Sequence, residues 1–341
     1  MSRITLKQVA SEAGVSYQTV SKVLNRQGSV SKETEERIWQ AVRSLGYRPN
    51  LIARSLRSQR SGMIGYSWEP ASPDQANAIL DRFLQSMTEA AEGMGYHLLA
   101  FPYRPGNAWV ESYRELVDTN RVDGFVLSSV EYNDPRILFL QERSFPFVAF
   151  GRSNPEWEFP YVDVNGEMGM RMVVDHLVER GHRRIAALAW PEPSRVGSNR
   201  LDGFLASLET HHIALQPEWV VRGEGSFTFG REAALRLLDL PPTLRPTAIA
   251  AFNDIMAIGA MHAIQERGLQ PGRDIAITGF DDSPLIQYLT PGLTSVRQPI
   301  WEVGLAVINI LSGYLNQEPV DSYKLLSPEL IIRQSSSEYC S

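Results

Sequence analysis

Residues 5–25 read TLKQVASEAGVSYQTVSKVLN, and their punctuation decides the fold of the N-terminal region. Thr5 stands at an N-cap position with Gln8 three residues on to complete a capping box. Gly14 supplies the left-handed residue that ends a first short helix. Ser16 caps a second helix starting at Tyr17, so a tight turn joins the two in helix-turn-helix spacing. In that second helix Val20, Val23 and Leu24 recur at i, i+3 and i+4 and face inward. Tyr17, Gln18, Ser21, Lys22 and Asn25 are left outward. This donor-rich surface suits the major groove of duplex DNA, where an amide pairs bidentately with adenine and a lysine reaches guanine acceptors. A third helix begins after Ser31, turns Ile38, Val42 and Leu45 inward, and stops at Gly46. Three short helices built this way close one small all-α core.

Charge separates this head from the rest of the chain. Residues 1–60 carry eleven basic side chains against four acidic ones, a net +7, whereas the whole chain of 341 residues is −6, which leaves −13 on the remainder. A basic head on an acidic body is the electrostatic footprint of a DNA-binding module joined to something else. Beyond Pro49 and Asn50, the segment LIARSLRSQRS (51–61) has the composition of one more short helix, too short to hold in water without a partner.

With those residues in view, VASEAGVSYQTVSKVLN (9–25) and VSKETEERIWQAVRSLGYRPNLIARSL (30–56) together resemble the LacI/GalR family of repressors, across the whole head and hinge without a gap. The resemblance implies that the second helix enters the major groove as one half of a homodimer on a pseudo-palindromic operator. It also implies that the hinge helix forms on DNA. There Leu56 matches the leucine pushed into the minor groove, and Ala53 matches the small residue that lets two hinge helices approach.

After Gly62 the pattern changes to short apolar runs alternating with amphipathic segments. MIGYSW (63–68), HLLAFPY (97–103), GFVLSSV (124–130) and FPFVAFG (145–151) read as buried strands, with helices over 79–96 and 109–119. A second series follows in RIAALAW (184–190), WVVRGEG (219–225), AIAAFND (248–254) and IAITGFDD (275–282), with helices over 168–181, 200–210, 230–240 and 255–268. Such alternation predicts parallel sheets covered on both faces, and it occurs as two sets. The pairing resembles the two α/β subdomains of periplasmic sugar-binding proteins and of the LacI/GalR core. From that resemblance follow boundaries of 1–48 for the head, 49–61 for the hinge, 62–163 with 297–327 for one subdomain, 164–296 with 328–336 for the other, and a tail of 337–341.

An open α/β sheet places its ligand at the carboxyl ends of its strands. Arg200, Asn253, Asp254, Asp281, Asp282 and Gln298 all stand near such ends. The family resemblance implies effector contacts for Arg200, Asn253, Asp281 and Gln298, and a stacking role for Phe227. A carboxylate, an amide and a guanidinium can each engage two hydroxyls while a ring covers a C–H face, which suits a saccharide, with a nucleobase as the alternative. Asp254 is expected to cap the helix that follows it, Asn253 is not, and Asp282 is expected to be a turn residue. Trp68, Arg152 and Trp190 are further candidates for the cleft wall. Gly151 stands where many relatives carry an acid before the arginine, so one sugar contact is expected to be missing.

Catalysis and export are disfavoured. Asp281 and Asp282 are adjacent in one turn rather than set apart as a glycosidase pair, the six histidines are scattered, and neither GMGYHL nor GEGSFT completes a dinucleotide fingerprint. No cofactor or metal site is implied. Cys340 is the single cysteine, there is no apolar run of 18 or more residues and no apolar stretch after the first arginine, so a cytoplasmic protein with no membrane partner is expected. A simple sugar-binding protein would share the body but not the basic head. No leucine heptads follow the last strand, and a homodimer is expected. The expected function is a repressor released from its operator by a small polar effector.

Overall fold

The computed structural model describes residues 4–24, 30–47, 60–68, 78–103 and 108–337. The chain divides into two compact units, Met1–Ser61 and Gly62–Ser341.

In the first unit α1 (Leu6–Ala13), α2 (Tyr17–Leu24) and α3 (Lys32–Leu45) follow the caps read from the sequence. Gln8 reaches back to accept the Thr5 backbone N–H at 2.8 Å, and Gly14 adopts φ 65°. The Ser16 hydroxyl accepts the Thr19 N–H at 3.1 Å, and Ser31 caps α3 through Thr34. Val9, Ala13, Val20, Val23, Ile38 and Ala41 form the core. One helix alone at this length is marginal, so packing of these apolar faces is what holds the trio.

The second unit holds two six-stranded sheets. The first contains β1 (Met63–Trp68), β2 (His97–Pro102), β3 (Gly124–Leu127), β4 (Phe147–Phe150), β5 (Tyr161–Val164) and β11 (Tyr323–Leu326), in the spatial order β2-β1-β3-β4-β5-β11, all parallel. The second contains β6 (Ile185–Ala189), β7 (Val220–Arg222), β8 (Ala248–Ala251), β9 (Ala276–Asp281), β10 (Thr294–Arg297) and β12 (Glu329–Ile331), in the order β7-β6-β8-β9-β10-β12, with β12 antiparallel. Each sheet reverses its strand order beside its first strand, which creates a topological switch point.

Both faces of each sheet are covered, which explains the continuous apolar runs. On β3, Val126 points to a core shared with α4 (Ala78–Gly93) and α11 (Ile300–Asn316). Phe125 and Leu127 point the other way, to α5 (Ala108–Asp118) and α6 (Pro135–Glu142). The second sheet is flanked by α7 (Gly166–Glu179), α8 (Arg195–Thr210), α9 (Phe227–Leu238) and α10 (Asp254–Glu266). The chain passes from the first sheet to the second after β5, returns after β10, and crosses again between β11 and β12. Strands β5, β10 and β11 and helices α6 and α11 are additions to the elements that alternation alone predicts. Among the described residues no helix is long and apolar enough to cross a membrane.

Candidate effector cleft and DNA-reading face

The carboxyl ends of the two sheets share a cavity of about 390 Å³, within the range of roughly 300–1,000 Å³ usual for small-molecule sites. Three residues lining it hold positive φ, namely Ser129 at 51°, Gly151 at 116° and Asp281 at 116°. Left-handed backbone of this kind is uncommon away from glycine and gathers at functional sites.

Arg200 is the centre of the second-sheet wall. Its guanidinium lies 3.6 Å over the Phe280 ring and 4.9 Å from Trp190, pairs with Asp281 at 3.6 Å, and donates to the Phe252 carbonyl. Its Nε is buried without a hydrogen-bond partner among the described residues. Burial pulls the Arg200 pKa down against the attraction of Asp281. Asp281 accepts from the Gln298 amide at 2.8 Å, yet burial still holds its carboxyl above the usual range. Asp254 is raised as well, first by burial and then by the charge of Asp281. The arrangement presents one under-satisfied donor, a partly satisfied carboxylate and an indole to whatever occupies the cavity.

The helix cap here differs from expectation. Asn253, extended at φ −151°, caps α10 by accepting the Met256 N–H at 2.8 Å, and its amide donates to the Gly225 carbonyl at 3.1 Å. Asp254 instead lies inside the first turn and accepts from the Ser283 N–H at 2.7 Å and the Ser295 hydroxyl at 2.6 Å. It ties the ends of β8 and β9 to Ser295 in β10. Asp282 is more than a turn residue, because its buried carboxylate holds both Arg297 and Arg333 at 2.7 Å.

From the first sheet, Arg152 reaches the cavity and pairs with Asp163 at 2.7 Å. Gly151 does lack the acid expected before the arginine, but Asp163 at the end of β5 brings a carboxylate to the same wall. Across the mouth, Glu131 accepts from the Ser194 hydroxyl at 3.3 Å and from the Arg195 backbone N–H at the start of α8. Arg195 returns a bond from Nε to the Ser153 carbonyl at 3.0 Å.

Of the sequence candidates, the cavity therefore gathers Arg152, Trp190, Arg200, Asn253, Asp281 and Gln298. Two do not line it. Phe227 is exposed at the start of α9 with its ring 5.6 Å from His262, and Trp68 is exposed at the end of β1. The aromatics lining the cavity are Phe150, Trp190 and Phe280, not Phe227. Sequence reasoning missed Glu131, Asp163, Arg195 and Asn199. Ser194, three residues before Gly197, was a readable helix start that would have pointed to Arg195 and Asn199. Among the described residues no cluster of His, Cys, Asp and Glu suits a metal ion.

On the head, Tyr17, Gln18 and Lys22 are exposed along α2 and Ser21 is half-buried. Thr5 and Ser16 are engaged in caps. Asn25, Ala53 and Leu56 lie outside the described residues.

Residues 5–50 match the bacterial regulatory proteins of the lacI family, and residues 174–336 match a periplasmic binding protein-like domain. The HTH-type transcriptional repressor PurR of Escherichia coli O139:H28 is 32% identical over 343 residues, spanning 98% of this chain and 97% of that protein. A regulatory protein of LacI family from Chloroflexus aggregans is 52% identical with a TM-score of 0.78, covering 81% of this chain and 99% of that one. The Lac repressor dimer bound to operator and the anti-inducer ONPF is 29% identical with a TM-score of 0.84, over 98% and 99% of the two chains. The CelR–cellobiose complex is likewise 29% identical, with a TM-score of 0.75 over 98% and 100%.

Proposed function

Because this chain belongs to the lacI family of bacterial regulatory proteins and is a DNA-binding transcriptional repressor with an effector-binding core, we propose that it works as a homodimer on a pseudo-palindromic operator and is released by a small saccharide held in the cleft. One observation carries the effector assignment. Six polar or aromatic side chains singled out in the sequence line one cavity, around a buried Arg200 Nε that has no acceptor among the described residues. A hydroxyl oxygen is the natural acceptor for that N–H, the Asp281 carboxylate can take a hydroxyl proton, and Trp190 offers a face to a sugar ring. On the head, Tyr17, Gln18 and Lys22 would read base edges, with Ser16, Thr5 and Ser21 near the backbone, Asn25 beyond α2, and Ala53 and Leu56 in the hinge.

A second reading is a nucleobase that acts as co-repressor. The same Trp190 face favours it, since a planar base would stack there while Asp281 and Gln298 meet its edge. A thermal-shift panel of neutral sugars and nucleobases on wild type and Asp281→Asn separates the two. The ligand that raises the melting temperature of wild type should bind Asp281→Asn roughly 10- to 100-fold more weakly, the loss expected for one hydrogen bond to a charged group. Equal affinity for both proteins would place the effector outside this cleft.

A further inference from the structure

We propose that the cleft selects an uncharged ligand and rejects phosphorylated or carboxylate-bearing ones, because the protein's own groups already fill the places where an anion would be held. The proposal deepens the effector assignment and rests on it. Proteins seat a ligand anion on a free guanidinium or ammonium, or on the open N–H groups of a helix N-terminus. Among the described residues lining the cavity the arginines are each engaged, and each helix N-terminus has at least one of its first-turn N–H groups taken by a side chain.

The cations are engaged. Arg152 is held by Asp163 at 2.7 Å, Arg195 Nε donates to the Ser153 carbonyl at 3.0 Å, and Arg200 is shared between Asp281 and the Phe252 carbonyl. Three helix N-termini open onto the cavity, through Gly166 of α7, Arg195 of α8 and Asp254 of α10. At α7, Asn165 accepts the Met168 N–H at 2.9 Å and Asn199 accepts the Glu167 N–H at 3.2 Å. At α10, Asn253 accepts the Met256 N–H. At α8, Ser194 takes the Gly197 N–H at 3.2 Å, and the Glu131 carboxylate, arriving from the opposite side of the cleft, takes the Arg195 N–H.

The charge balance points the same way. Asp163, Glu224, Asp254 and Asp281 line the cavity with Arg152, Arg195 and Arg200, four acidic groups against three basic ones. Burial holds Asp254 and Asp281 above the usual carboxylate range, and the charge of Asp281 raises Asp254 further. A ligand phosphate would join that surplus. Arg200 Nε, buried and without a partner among the described residues, has a single N–H, which matches one neutral oxygen and falls short of a phosphate.

Glu131 is the testable occupant because it is an exposed side chain sitting where a ligand anion would sit, at the positive end of a 16-residue helix. The experiment is calorimetric titration of the full chain with inorganic phosphate and with two matched pairs, glucose against glucose 6-phosphate and adenosine against adenosine 5′-monophosphate. Wild type, Glu131→Ala and Glu131→Gln are compared. Glu131→Ala is expected to take up phosphate about tenfold more tightly than wild type. Glu131→Gln keeps an acceptor oxygen on the Arg195 N–H and is expected to stay close to wild type. Coincident phosphate titrations for wild type and Glu131→Ala would overturn the proposal, as would tighter binding of a phosphorylated compound than of its neutral partner by wild type. The phosphate comparison needs no knowledge of the effector. If no neutral compound binds the cleft at all, the effector assignment fails while the phosphate comparison still decides this proposal.

Discussion

At Asp281 the backbone holds φ 116° while the side chain accepts from Gln298 and faces Arg200. A second residue with an unusual state is His182, buried with Nδ1 3.0 Å from the Thr247 hydroxyl and Nε2 without a partner among the described residues. Burial, with a smaller push from His176, lowers its pKa to about 4. Between that value and the unfolded value of about 6.5, the unfolded chain takes up a proton that the folded chain refuses. Stability is therefore full above the upper value and falls as pH drops through the window. Asp254 and Asp281, held above the usual carboxylate range, pull the slope the other way in the same window, so the contribution is read as a difference: in denaturant titrations at steps from pH 7 to pH 4, wild type should lose more stability, or gain less, than His182→Gln. An equal slope in both proteins would mean that His182 does not set it. At this scale part of the cleft chemistry was legible, because Asp281 and Gln298 stand out as polar residues near the ends of apolar runs, whereas Arg200, inside α8, was picked out by the family resemblance. The division of labour between Asn253 and Asp254 was not. Two adjacent acceptors can each cap a helix, and only the extended backbone at Asn253 decides which one does. Phe227 was misplaced for a related reason, since a residue in the first turn of a helix points wherever that helix is rotated.

Among the elements, α9 and α10 approach so closely that a Cβ on Gly259 would lie 2.2 Å from the Phe227 carbonyl oxygen and 2.8 Å from the Arg231 backbone nitrogen. Those are backbone atoms and cannot swing aside. Gly259→Ala is expected to cost about 1–3 kcal/mol through overpacking, read as a lower midpoint in chemical denaturation. Gly93→Ala, in the last turn of α4 with nothing within 4 Å of the added Cβ, should be neutral or stabilising by up to about 1 kcal/mol. If the two variants match, the close approach of α9 and α10 is not a stability determinant. The elements that the sequence hid share a physical cause. YVDV and YKLL are four-residue strands at or next to the sheet edge, too short and too mixed to show an apolar run. Helix α6 is eight residues long, started by Asp134 and Pro135 rather than announced by periodicity. Helix α11 is buried on most of its circumference, so its apolar residues mark no single face. The return crossings after β10 and β11 came from the family resemblance and not from any local signal.

For the whole molecule, a head of net +7 and a remainder of −13 assign DNA to one unit and effector to the other, and regulation is then a coupling free energy between two sites. A ligand gripped from both sheets binds best in one relative setting of the two halves of the body, and its binding energy favours that setting. Such coupling must be reciprocal. The decisive measurement determines operator affinity by fluorescence anisotropy with and without saturating effector, and effector affinity by calorimetry with and without saturating operator. Both are taken at one salt concentration, because phosphate contacts make operator affinity salt-dependent. The expected result is that each ligand weakens the other by the same factor, roughly 5- to 150-fold. An equal factor in the opposite sense would select the co-repressor reading. An operator affinity that saturating effector leaves unchanged would contradict the claim that the cleft controls the head.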